Sequence, residues 1–454
     1  MALGTWRTWS VFDRIVNVQV VQVLAVFICE GNTMHHVIVG TGPAGVVAAE
    51  HLRKLDADAE ITMLGAEDKP PYSRMAIPYF LVGNIEEDGT YLRKAASHYQ
   101  QHRINVVQNR VSSINTASKQ LALGDGSSMG YDRLLLASGA TAVKPPINGI
   151  DLDGVYNCWT LADAHKIINR AAPGSNVVLM GAGFIGCIIL EALALRKVNL
   201  TVVEMENRMV SRMTNEVMGT MIKDWCVDKG INVLTSTKVN EISEVSGNEL
   251  KVTLDSGNPI DADLVICATG VRPNTAFLEG SGIEIRDGIV VDDCQQTSVT
   301  DVYAAGDVAQ GRDYSTGDYY VQAIQPTAVE HGRIAAQNMA RGHGTEHRGT
   351  VNMNVLDTVG LISTSFGMWM GVPGGDESER IEQDKFKYLN LQFKDDVLVG
   401  ASSLGMTQHV GAMRGLIQTG KPLGEWKQRL MEDPTRLMDA YLASAQQQAA
   451  SLEA

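Results

Sequence analysis

Hydrophobic positions along this chain repeat in two alternating rhythms. His36-Val37-Ile38-Val39 is a short apolar run, and Val46, Ala49, Leu52 and Leu55 recur at helical spacing just after it. A second apolar run occupies residues 60–64. Strand, turn, helix and strand in that order predict a βαβ unit. The turn reads Gly40-Thr41-Gly42-Pro43-Ala44-Gly45. In such a turn the first glycine permits a tight bend, the second lets the backbone approach a pyrophosphate, and the third lets the helix lie close to the strand. The helix N-terminus then offers free N–H groups and a partial positive charge to that phosphate.

The same pattern returns downstream. Val177-Val178-Leu179-Met180 predicts a strand, and Gly181-Ala182-Gly183-Phe184-Ile185-Gly186 follows it. Ile189, Ala192 and Leu195 continue at helical spacing, and a strand over 200–203 ends at Glu204. An acid at that position suits a ribose 2′-hydroxyl. Leu134-Leu135-Leu136-Ala137-Ser138-Gly139 and Leu264-Val265-Ile266-Cys267-Ala268-Thr269-Gly270 are matching strand-to-glycine runs. Two dinucleotide-binding units in one chain are far more specific than a single glycine motif. Residues 104–136 read as a small antiparallel excursion around Gly124-Asp125-Gly126. The prolines of Lys69-Pro70-Pro71-Tyr72-Ser73-Arg74-Met75-Ala76-Ile77-Pro78-Tyr79-Phe80 predict an irregular segment. Pro326 suits a first helical position, with Gln325 just before it. Strands are expected over 351–359, 388–393 and 397–404, then a charged helical tail over about 424–450, exposed or docked on a partner.

Composition narrows the class. The chain has 454 residues, is 44% hydrophobic, and carries a formal charge of −14. That charge argues against a nucleic-acid partner. Its six cysteines form no C-x-x-C pair and no metal-ligand spacing, so no metal site is expected and the thiols read as reduced, in a cytoplasmic protein. The apolar stretch 18–29 is broken by Gln19 and Gln22, too short for a membrane span and a poor signal peptide. Residues 1–33 read as an extension ahead of Met34.

Taken together, these segments over about 34–344 resemble the pyridine nucleotide–disulphide oxidoreductases, which bind FAD on the first glycine loop and NAD(P)H on the second. The resemblance implies an α/β fold of two interleaved Rossmann-like domains, FAD-binding over 34–145 and 271–344 and NAD-binding over 146–270. A C-terminal α+β interface domain with a helical tail would cover 345–454. It implies FAD contacts from Gly40, Gly42, Pro43, Ala44, Gly45, Glu67, Arg74, Ala137, Ser138, Gly139, Gly306, Asp307, Gln325, Pro326 and Thr327. NAD contacts would come from Gly181, Gly183, Phe184, Ile185, Gly186, Glu204, Thr269 and Gly270. Asp307 would hold the ribitol, and the helix beginning near Pro326 would stabilise the reduced flavin. Phe184 is either a gate over the flavin or core packing. Arg74 meets the flavin or its phosphates, or else forms a surface ion pair. Glu204 favours NAD over NADP, with Arg208 the alternative, a partner for a 2′-phosphate.

Several departures from the family pattern shape the expected chemistry. The stretch 68–84 has no cysteine, and Met75 stands where the single-cysteine branch carries its nucleophile. The Lys–Glu pair of ferredoxin-reductase-like members is replaced by Tyr79 and Ile188, with Glu191 a substitute acid. Gly65 stands where an acid usually ends the second strand, leaving Glu67 or Asp68 for the ribose. Cys187, Cys267 and His331 read as structural. The segments 70–81, Ile-Gln-Pro-Thr-Ala and 352–357 look most like the FAD subunits of acylating 2-oxoacid:NAD oxidoreductases of the phenylglyoxylate dehydrogenase type. This implies hydride transfer between NAD(H) and FAD without a catalytic side chain, and an iron–sulfur subunit in a larger complex as partner. A stand-alone NADH:rubredoxin or ferredoxin reductase and a non-catalytic flavoprotein scaffold or sensor are the alternatives.

Overall fold

The computed structural model describes residues 33–245 and 249–453. The extension over 1–32, including the apolar stretch 18–29, lies outside the described residues. Two five-stranded parallel sheets form the centre of the molecule. One runs Val302–Ala304, Arg133–Leu136, His35–Val39, Glu60–Gly65, Ile104–Gln108. The other runs Val155–Asn157, Leu264–Cys267, Asn176–Met180, Asn199–Val203, Asn232–Leu234, in the same spatial order. The outer strand of the first sheet comes from far downstream and that of the second from upstream, so the two units interleave.

Alternation along each central strand separates two cores. Ile38 packs under the helices Pro43–Leu55 and Gln325–Arg341, while Val37 and Val39 face a three-stranded meander. In the second unit Val177 and Leu179 face helices and Val178 and Met180 face the other meander. Period-two burial of this kind fixes the register, because a one-residue slip would exchange the two faces.

The chain passes between the units twice. The outgoing segment Ala140–Ala142 pairs antiparallel with the returning segment Val271–Pro273. Asn274 ties that seam by donating to the Ser138 carbonyl at 2.8 Å and accepting from Thr141 at 2.6 Å.

The C-terminal domain is a five-stranded antiparallel sheet in the order Met353–Thr358, Leu361–Gly367, Val397–Leu404, Lys387–Lys394, Asp376–Glu382. Leu356, Tyr388 and Leu404 on one face join the core of the second unit; Phe366, Leu391 and Phe393 on the other meet the closing helices. Trp225 anchors the contact by donating to the carbonyls of Thr358 and Val359.

The structure departs from the sequence pattern in several places. Residues Ile104–Gln108 are the parallel edge of the first sheet, and only the three strands from Val111 to Gly130 form the antiparallel excursion. The proline-rich segment contains a helix, Ile77–Val82, because Pro78 sits in its first turn, where no intrahelical N–H is lost. Helix Gln325–Arg341 starts one residue earlier than expected. Leu55 is only partly buried and Leu195 is 54% exposed, since both lie in final turns beyond the sheet. The tail is no free arm: helix Glu425–Glu432 and the start of Leu437–Glu453 bury Leu430, Leu437 and Ala440 in their own domain. Among the described residues no helix is long and apolar enough to cross a membrane.

Candidate dinucleotide sites and the flavin-side cluster

The two glycine loops share one geometry. Gly40 and Gly181 both have positive φ, +120° and +97°. A side chain on Gly40 would strike the Ala137 carbonyl, and one on Gly181 would lie 2.6 Å from the Ala268 carbonyl oxygen. Gly45 and Gly186 are closed off in the same way by the carbonyls of Gly40 and Gly181. Above Gly42 and Gly183 there is open space, and a methyl group on either would meet nothing within 4 Å. Thus the first and third glycines are fixed by the protein itself, and the second leaves room for a ligand.

The helix ends reinforce this contrast. Helix Leu161–Arg170 is closed by a capping box between Thr160 and Asp163, and helix Glu216–Asp228 by the Asn215 side chain. Helices Ile77–Val82, Val410–Thr419 and Glu425–Glu432 begin without any side-chain cap. So do Pro43–Leu55, Phe184–Leu195 and Gln325–Arg341, the first two of them behind an open second glycine. Their first-turn N–H groups remain available to an anion, and the dipole favours one. The donor set therefore fits two pyrophosphates and one further electron-rich group.

A polar cluster surrounds the start of helix Gln325–Arg341. Gly306, at φ +76°, sits against Ala44 and Ala328, where two helix starts cross. Asp307 follows it, and burial holds its carboxyl above the usual range while the Arg74 charge pulls it down. Ser73 donates to Gln325 at 2.6 Å. Thr327 is buried and its hydroxyl has no protein partner, as expected of a group that meets a ligand. Pro43 opens the first loop helix, and Gly139, at φ +65°, has open space beside it.

Other expected residues have protein partners. Both oxygens of Glu67, expected at the adenosine ribose, are engaged: Tyr72 donates at 2.6 Å and Arg74 at 2.8 Å. Arg74 also donates to the Trp159 carbonyl and lies over its ring. Glu67 therefore orients Arg74. The Ser138 hydroxyl donates to the Asn274 carbonyl and that of Thr269 to the Val143 carbonyl, so toward a cofactor each hydroxyl is left as an acceptor beside its backbone groups. Sequence reasoning missed Trp159 and Asn274, which lie in segments without periodicity or motif, and Ser73, whose partner Gln325 is distant along the chain.

At the second loop Glu204 is buried and accepts from the N–H groups of Ala182 and Glu206, at 2.6 and 2.8 Å. Arg208 spends its guanidinium on the Thr214 and Ser211 carbonyls and on Asn207. Phe184 and Ile185 lie partly buried against the core of this unit. Glu191 is pushed above the usual carboxylate range by burial and by Asp357 on the C-terminal sheet, so it points to that interface. Met75 is 47% exposed and Tyr79 59%. All five described cysteines are free and buried, and burial raises the thiols of Cys158, Cys187, Cys226 and Cys294.

Two dinucleotide units, two uncapped loops and a polar cluster at a third helix start define an FAD- and NAD(H)-dependent oxidoreductase. The chain belongs to the pyridine nucleotide-disulphide oxidoreductase family, whose sequence pattern matches residues 34–340. It is 31% identical to the epsilon subunit of NADH-dependent phenylglyoxylate dehydrogenase of Aromatoleum evansii, over 88% of this chain and 95% of that one. It is 27% identical to rubredoxin-NAD(+) reductase of Pseudomonas putida, over 84% and 98% of the two chains. The fold matches the putidaredoxin reductase–putidaredoxin complex with a TM-score of 0.83 at 23% identity, covering 91% of this chain and all of that one. Family membership sets aside the non-catalytic scaffold.

Proposed function

We propose that this chain moves electrons between NAD(H) and an iron–sulfur protein, as the flavin subunit of a 2-oxoacid:NAD oxidoreductase complex of the phenylglyoxylate dehydrogenase type. The net reaction of such a complex is 2-oxoacid, CoA and NAD⁺ to acyl-CoA, CO₂ and NADH. The observation that carries the reading is the missing thiol. Met75 stands on the segment 68–84, which has no cysteine, and the described cysteines are buried, with burial raising the thiols of Cys158, Cys187, Cys226 and Cys294. A thioether cannot act as a thiolate nucleophile. Bound FAD supplies the conversion between two-electron chemistry with a nicotinamide and one-electron exchange with a metal cluster.

The protein's own residues then bind and orient. Gly42 and Gly183 leave room for the two pyrophosphates, and the uncapped helices behind them supply N–H donors. Asp307 and Thr327 hold the flavin end of one cofactor, with Arg74 fixed beside them by Glu67. Glu204 favours NAD(H), because a carboxylate there opposes a 2′-phosphate. Arg208 does not offset it, being spent on backbone carbonyls. The free, buried cysteines suit a reducing, cytoplasmic compartment.

A second reading is a stand-alone rubredoxin or ferredoxin reductase, favoured by the match over 98% of the Pseudomonas putida reductase. Native mass and iron content of the protein purified from its source separate the two. Co-purification with larger iron-containing subunits supports the complex; a flavin-only particle supports the stand-alone reductase.

A further inference from the structure

The two units differ at one matched pair of positions. In the second unit Ala182 stands between the first two glycines, and Glu204 follows Val203 at the strand end. In the first unit Thr41 takes the place of Ala182, and Gly65 that of Glu204. The equivalence is fixed by register: Gly40 donates to Leu64 and Gly181 donates to Val203, both at 2.8 Å. Leu64 pairs with Val39 as Val203 pairs with Met180.

The exchange is reciprocal in space. Glu204 projects back over its loop until its carboxylate accepts from the Ala182 N–H. In the first unit a Cβ on Gly65 would lie 2.9 Å from both Oγ1 and Cγ2 of Thr41. The threonine side chain thus occupies the space through which an acid at position 65 would have to pass. The nearby acid, Glu67, is turned toward Tyr72 and Arg74, each of which donates to one of its oxygens. Thr41 is only partly buried, on a loop whose next residue opens onto free space. A hydroxyl can both donate and accept, so it matches a sugar hydroxyl without adding charge beside a pyrophosphate.

We propose that the Thr41 hydroxyl is the hydrogen-bond partner of the adenosine ribose 2′-hydroxyl of FAD, in the place a carboxylate takes in the second unit. This rests on FAD binding by the first loop and is independent of the electron partner.

The test is FAD titration of the apoprotein, followed by quenching of flavin fluorescence, with melting temperature as a separate readout. Thr41→Val should weaken FAD about three- to tenfold, the range for one neutral hydrogen bond, and Thr41→Ser should restore most of it. With FAD carrying 2′-deoxyadenosine, the unaltered protein and the valine variant should bind equally. Gly65→Glu alone should lower the melting temperature through collision with Thr41, and adding Thr41→Ala should recover both stability and FAD binding. Equal affinity of the unaltered protein for FAD and its 2′-deoxy form overturns the assignment, even if the valine variant fails to fold. So does a valine deficit of the same size with both flavins.

Discussion

At the residue scale, nucleotide choice turns on whether positive charge is free near the second loop. Arg208 looks in the sequence like a rival to Glu204, but its guanidinium is spent on carbonyls, and its stem lies against Gly219. The unaltered protein should therefore use NADH over NADPH, and Glu204→Gln should narrow that preference by about tenfold through loss of like-charge repulsion. Equal use of both nucleotides by the unaltered protein would show that Arg208 is released on binding. The third glycines allow a sharper check. Gly186→Ala drives a methyl into the Gly181 carbonyl, so it should cost about 1–3 kcal/mol and impair NADH binding while FAD stays bound. The glycine spacing was legible in the sequence because it reflects backbone collisions inside one short loop. The partners of Glu67 and Arg74 were not, because Tyr72 and Trp159 reach them from segments without a repeating pattern.

At the scale of elements, the long helix Gln325–Arg341 carries a pH-sensitive group. His331 is buried edge-on against His347, ring centroids 4.8 Å apart, and neither His331 nitrogen has a protein partner. Burial lowers it from 6.5 to about 3, and His36 on the first strand to about 4. The unfolded chain protonates these rings first as pH falls, so each removes stability from 6.5 down to its folded value. His331→Leu should flatten the acid limb of a plot of stability against pH by roughly 1.4 kcal/mol per pH unit below about 6.5. An unchanged slope would show that the ring is hydrated in solution. The tail offers another element-level test. Truncation after residue 442 should leave a folded, NADH-oxidising flavoprotein, whereas removal of 424–454 should not fold, since it strips Leu430, Leu437 and Ala440 from the core. Two foldable truncations would contradict that packing. The tail's helical character was legible in its sequence. Its docking was not, because the apolar face it covers comes from strands distant along the chain, a closure that local periodicity does not record. The same holds for Ile104–Gln108: its short apolar pattern suits either sheet, and only the register with Glu60–Gly65 decides.

At the scale of the whole molecule, the two interleaved units and the C-terminal sheet form one body. Arg196 at the end of the second loop helix donates to the Leu81 carbonyl, and His165 meets Glu87 at 2.6 Å, joining the second unit to the segment after the first loop. Trp225 joins it to the C-terminal sheet. The proposed function makes flavin the sole redox centre among the described residues, serving NAD(H) on one side and an iron–sulfur protein on the other. It implies that alkylating accessible thiols leaves NADH:dye activity nearly unchanged. The most direct measurement is an anaerobic titration of the purified flavoprotein with dithionite, counting electrons per FAD. Two electrons per FAD, with no thiolate–flavin charge-transfer band on the way, is the predicted result; four electrons, or such a band that vanishes with one Cys→Ser change, would contradict the account.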